Sequence, residues 1–102
     1  MANQEAEALV KKRRALLSYF GTDEYPDGTV LRLFKCFGNP ETEKVYTYVA
    51  IKLENHQWFL EGKYMGWSEI LLFLDKENSL DWEGILQFVE EGDWHDHNPV
   101  NQ

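Results

Sequence analysis

The residue types best suited to chemistry gather near the end of the chain, where Asp93, His95, Asp96 and His97 follow Glu90 and Glu91. Imidazole and carboxylate groups suit zinc or nickel when two or three of them converge on one point. Here His95 and His97 point the same way only in an extended backbone, and no cysteine joins them, so the spacing by itself assembles no metal site. Glu90, Glu91 and Asp93 offer carboxylates for acid–base work, but such work needs two carboxyls in different environments across a cleft, and consecutive acids are the pattern of a solvated segment. Cys36 stands alone in an apolar run, where a thiol behaves as a small hydrophobe, and nothing around it in sequence marks a pairing base. No serine sits in a nucleophile turn, and no glycine-rich phosphate loop follows a strand. The chain is therefore expected to be no enzyme, with no metal ligand and no cofactor.

What the chain has in excess is aromatic surface, 15% of its residues. Tyr46, Tyr48, Trp58, Trp67, Trp82 and Trp94 are too many large rings for so small a domain to bury completely. Aromatic side chains bury much area for little lost rotamer entropy, which concentrates binding energy at protein interfaces. The residues expected to contact a partner are Tyr46, Tyr48, Phe73, Phe88 and Trp94, beside an acidic surface of Glu83, Glu90 and Glu91.

Charge narrows the choice of partner. The formal charge of −8 over 102 residues is unevenly placed, because residues 1–14 hold four basic and two acidic groups while the rest hold six and sixteen. A body this acidic repels phosphate backbones, so nucleic acid is not an expected partner. Lys11-Lys12-Arg13-Arg14 is the only basic cluster; it reads as a solvated helical face, or as a group that pairs with the acidic loop Asp23-Glu24 or with a second copy of the protein. No apolar run approaches the roughly 20 residues that span a bilayer, and the N-terminus lacks the pattern of a signal peptide. A membrane partner is not expected, and the single cysteine fits a reducing cytoplasm.

The elements that must position these residues follow from periodicity. Residues 3–20 form an amphipathic helix, with Ala6, Leu9, Val10, Leu16, Leu17 and Phe20 on or near one face, ended by Gly21. Pro26-Asp27-Gly28 turns the chain into a first strand from Val30 to Phe37. Gly38-Asn39-Pro40 is the next turn, and a second strand from Val45 to Leu53 alternates Val45, Thr47, Val49, Ile51 and Leu53 against Tyr46, Tyr48, Ala50 and Lys52. One face of it is aliphatic and the other aromatic; if helices cover the aliphatic face, Tyr46 and Tyr48 face elsewhere. A third strand runs from Gln57 to Glu61.

The phrase Trp67-Ser68-Glu69-Ile70-Leu71-Leu72-Phe73-Leu74 then returns as Trp82-Glu83-Gly84-Ile85-Leu86-Gln87-Phe88-Val89. In both copies the Trp, Ile, Leu and final aliphatic residue fall at i, i+3, i+4 and i+7, the stripe of a helix packed on a core. The expected fold is α+β: an N-terminal helix, a three-stranded antiparallel meander and two short C-terminal helices packed on the sheet. Residues 1–92 make one domain and 93–102 a polar tail. A helix followed by three strands and a helix is also the order of a double-stranded RNA-binding domain, but Glu69, Asp75, Glu83 and Glu90 stand where such a domain needs lysines.

Several phrases resemble a group of small uncharacterised proteins of actinobacterial phages and prophages. They are Asp27-Gly28-Thr29-Val30-Leu31-Arg32, Tyr46-Thr47-Tyr48-Val49-Ala50-Ile51-Lys52, Trp58-Phe59-Leu60-Glu61-Gly62 and Trp67-Ser68-Glu69-Ile70, all within residues 27–73. The chain departs from that pattern at Glu61, where the group has Thr, and at Ser68, where it has an acid. The resemblance implies a phage origin and action in the cytoplasm of a bacterial host, and carries no activity. The leading expectation is a small non-catalytic phage protein that binds a host or phage protein. The alternatives are an acidic mimic of DNA that inhibits a nucleic-acid-binding protein, and a virion protein that assembles with copies of itself.

Overall fold

The computed structural model describes residues 2–38 and 44–97. Its elements in order are α1 (Ala2–Phe20), β1 (Val30–Cys36), β2 (Val45–Lys52), β3 (Trp58–Leu60), β4 (Lys63–Met65), α2 (Trp67–Asp75), β5 (Leu86–Glu90) and β6 (Asp93–Asp96). The strands form one antiparallel sheet in the order β4-β3-β2-β1-β5-β6. The class is α+β as expected, but the three-stranded meander is the middle of a six-stranded sheet, and one C-terminal helix stands where two were expected.

The two Trp phrases part company at their third residue. In the first, Gly66 opens α2 and the Glu69 carboxylate accepts the Gly66 backbone N–H at 3.0 Å, satisfying one of the orphan donors of the first turn. Its stripe Trp67, Ile70, Leu71 and Leu74 is buried, as the spacing predicts. In the second, the place of Glu69 is taken by Gly84, whose φ of +76° is a left-handed conformation outside any α-helix. The chain turns there and continues as β5, which pairs Leu86 with Leu33 and Phe88 with Leu31. Without β5, one edge of β1 would be unpaired, so hydrogen bonds to a distant strand override the local helical spacing.

The two outer hairpins share a design. Glu61-Gly62 joins β3 to β4, and Glu91-Gly92 joins β5 to β6; all four residues have positive φ, as two-residue hairpin turns of type I′ require. Residues 93–96, expected to begin a polar tail, are thus the edge strand β6. The expected turn at Gly38-Asn39-Pro40 lies outside the described residues from Asn39 onward, as does the tail beyond His97.

Both helices lie on one side of the sheet, with α2 over β1 and β3 and the last turns of α1 against α2. Beneath them Leu16, Phe20, Leu31, Leu33, Ala50, Trp58, Leu60 and Ile70 form the buried core. The register sets which β2 face they cover: Leu31 pairs with Ala50, Leu33 with Tyr48 and Lys35 with Tyr46. The helices therefore cover the face carrying Tyr48, Ala50 and Lys52, and the aliphatic face of β2 is bare. The small Ala50, fully buried between Leu31 and Leu60, lets the core close over that side. Among the described residues no helix is long and apolar enough to cross a membrane.

Candidate functional site

Alternation along each strand places Val30, Arg32 and Phe34 of β1 on the bare face, opposite Ile51, Val49 and Thr47 of β2. Phe59 and Tyr64 extend it on the β3–β4 side, and Val89 and Trp94 on the β5–β6 side. Val45 is 49% exposed, Val49 50%, Ile51 40%, Phe59 37%, Tyr64 66% and Trp94 37%, so a continuous apolar surface runs across the whole sheet. A β-branched and aromatic strand face normally packs against a second layer, and a large contiguous apolar patch on a small domain marks a place of contact.

Among the described residues one cation stands in this face, and it is held. Arg32 Nε donates to Gln87 Oε1 at 2.6 Å, and Gln87 Nε2 donates in turn to Asp96 Oδ1 at 2.7 Å. The Arg32 guanidinium lies 4.3 Å from the centre of the Trp94 ring and 5.3 Å from that of Phe34. The chain Arg32–Gln87–Asp96 crosses three strands and fixes a planar cation between two rings, an arrangement of Arg and Trp of the kind that anchors protein interfaces.

The residues expected to form a partner surface divide between the two sides. Trp94 is on the bare face. Tyr48 lies on the helix face, edge-on to Phe73 of α2 with ring centres 5.0 Å apart. Both are half-buried and pack against the core. Phe88 is also on the helix face, 5.5 Å from Tyr25 and 5.5 Å from His95. Tyr46 is 41% exposed but sits at the far end of the helix face against Phe37. The structure therefore joins Tyr48 to Phe73 and leaves the other three apart. The acidic residues divide too: Glu90 and Glu91 stand at the β5–β6 turn and Glu83 beyond the opposite end of β5, all exposed.

The Asp and His residues near the C-terminus are used within the fold. His95 and His97 share the helix face because β6 is extended, whereas Asp96 faces the other way to meet Gln87. His95 Nε2 is 3.2 Å from the Glu90 carbonyl. Both ring nitrogens of His97 are occupied: Nε2 lies 2.6 Å from the Phe20 carbonyl oxygen and Nδ1 meets the Tyr25 hydroxyl. A carbonyl only accepts, so Nε2 carries the proton and Nδ1 accepts from the tyrosine. Burial pushes the His97 pKa down, partly offset by the bond to Phe20. Among the described residues no three His, Cys, Asp or Glu side chains come together as a metal site.

Four wholly or partly buried polar groups had no sequence signal as such. Asp23 accepts from Lys52 Nζ at 2.9 Å, from Trp58 Nε1 at 3.1 Å and from the Tyr25 N–H at 3.3 Å, while Lys52 also donates to the Tyr25 carbonyl. Tyr25 has its pKa raised, by burial first and by the nearby Asp23 charge second. Lys35 lies under α2, donating to the Phe73 carbonyl at 2.5 Å with its ammonium 4.1 Å from the Phe73 ring centre. Burial lowers its pKa, opposed by Glu77. Asp23 is thus the partner of Lys52, and in the basic cluster Lys12 pairs with Asp75 at 3.4 Å. Cys36 is buried, its N–H bound to Asn78 Oδ1 and its carbonyl to Ser79.

Comparison of the chain with protein-family models, with curated proteins and with solved structures finds no match to any of them.

Proposed function

We propose that this chain is a small non-catalytic bacteriophage protein that acts by binding a host or phage protein, and that its contact surface is the bare face of the sheet. The observation that carries this reading is the apolar continuity of that face, from Tyr64 through Val49 to Trp94, with its one cation fixed between Trp94 and Phe34. Such a surface presents rigid aromatic and β-branched groups at low entropic cost on binding. The acidic turns at Glu54, Glu61 and Glu91 frame it and favour a partner with basic groups around an apolar centre. The phage origin rests on the resemblance of residues 27–73.

The test is affinity capture from an actinobacterial lysate at moderate salt, with Val49→Asp as the control. Val49 is half exposed, so the substitution should leave the far-ultraviolet dichroism unchanged while removing the captured protein. Equal capture by both proteins would refute the assignment of the surface.

A further inference from the structure

We infer that the occupant of the bare sheet face is a second copy of this chain, which lays the exposed N-terminal part of its α1 across it; the inference rests on the reading of that face as a docking surface. The helix supplies the first argument. Every residue of α1 from Gln4 to Ala15 is exposed, and burial begins only at Leu16. Leu9 is 46% and Val10 51% exposed, on the same stripe as Ala6, and nothing among the described residues of their own chain covers them. A helix of this length is marginal in water without an apolar surface to lie on.

Charge supplies the second argument. Residues 1–14 carry a net +2 and the remainder −10. Lys12 reaches Asp75, but Lys11, Arg13 and Arg14 form no ion pair among the described residues. The bare face has an apolar centre with Asp96 at its β6 edge, and exposed acids stand in the turns at the ends of its strands at Glu54, Glu61 and Glu91. An amphipathic helix with an apolar stripe and basic flanks is its complement. Direct packing of two sheets face to face would instead bring two bodies of −10 together.

Size agrees. Six strands about 4.8 Å apart make a sheet about 24 Å wide, and the helix through Ala15, rising about 1.5 Å per residue, is about 21 Å long. A two-fold axis makes the exchange reciprocal, so that each copy gives a helix and receives one and the assembly closes at two chains.

The experiment is sedimentation equilibrium on the full chain, on Leu9→Asp and on Val49→Asp, each folded by circular dichroism, and on an equimolar mixture of the two variants. Val10→Asp and Ile51→Asp stand in for either variant that fails to fold. The wild type should have twice the chain mass at micromolar concentration, with dissociation rising at least tenfold in high salt. Each variant alone should have the mass of one chain, and the mixture should regain the dimer, because an intact helix then meets an intact face. A wild type that stays a single chain at every concentration overturns the inference. Loss of the dimer in Val49→Asp without loss in Leu9→Asp, or a mixture that fails to recover, overturns it too. If the wild type is a single chain yet captures a lysate protein that Val49→Asp does not, the second copy is excluded and the docking face stands; if that capture also ignores Val49, both fail.

Discussion

The carboxylate of Asp23 and the ammonium of Lys52 stand 2.9 Å apart, with 8% and 4% of their side-chain surface exposed. Each finds further partners: Trp58 and the Tyr25 N–H for the acid, the Tyr25 carbonyl for the base. The pair ties the connection after α1 to the ends of β2 and β3, and so anchors the loop that carries Tyr25 into the core.

Removing one member of this pair leaves the other charge buried without compensation. Lys52→Ala and Asp23→Ala are each expected to cost about 3 to 5 kcal/mol, measured by urea unfolding. The double variant Asp23→Ala/Lys52→Ala should cost less than the sum of the two. A loss below about 1 kcal/mol in both single variants would mean that the pair is solvated.

Gly84 gives a test of opposite signs. Nothing lies within 4 Å of a Cβ at this position, so the cost of Gly84→Ala is that of the left-handed backbone alone, about 1 to 2 kcal/mol. Were residues 82–89 a helix, the same substitution would stabilise the chain by about 1 kcal/mol. Thermal unfolding of the single variant distinguishes the strand from the helix by the direction of the shift.

Acid should loosen the junction of α1 and β6. His97 is packed among Phe20, Tyr25 and Trp67, and its folded pKa lies below the ordinary value of 6.5. The unfolded chain then binds more protons than the folded one between 6.5 and the lowered pKa. The contribution of His97 is fully present above about pH 6.5 and is lost as the pH falls below it. Urea midpoints measured from pH 7.5 to 5 should fall in the wild type more steeply than in His97→Gln; equal slopes would count against a buried neutral imidazole.

Adjacent residues of β2 should respond in different ways. Tyr48 is wedged against Phe73, and Tyr48→Asp is expected to lose about 2 kcal/mol or more, since it trades a packed ring for a charge under α2. Val49 is on the bare face, and Val49→Asp should cost under about 1 kcal/mol. Similar losses in the two variants would contradict the assignment of the sheet faces.

The first helix, the three central strands and α2 were legible because each is settled within its own residues. The 3.6-residue stripe of α2 coincides with a Glu69 cap, and β2 sets Val45, Thr47, Val49 and Ile51 against Tyr46, Tyr48, Ala50 and Lys52, with burial alternating from Tyr48 onward. The second Trp phrase satisfied the same stripe, and the one local warning was Gly84 in the place of Glu69. Its strand form depends on a pairing with β1 more than fifty residues away, which spacing within the phrase does not register. The Glu61-Gly62 and Glu91-Gly92 turns were not expected, because Glu-Gly lacks the Asn-Gly or Asp-Gly signal of a two-residue hairpin, and with them β4 and β6 were missed.

By itself, the sequence determined the α+β class, the central strand alternation and the segregation of charge between the first residues and the body. Only the tertiary structure decided which side of the sheet is bare, because β2 is apolar on both faces and alternation is indifferent to which one the helices cover. It also decided that Lys35 and Lys52 are buried, since a lysine enters a core only where a carbonyl or carboxylate waits for it, and Asp23 and the Phe73 carbonyl come from distant parts of the chain.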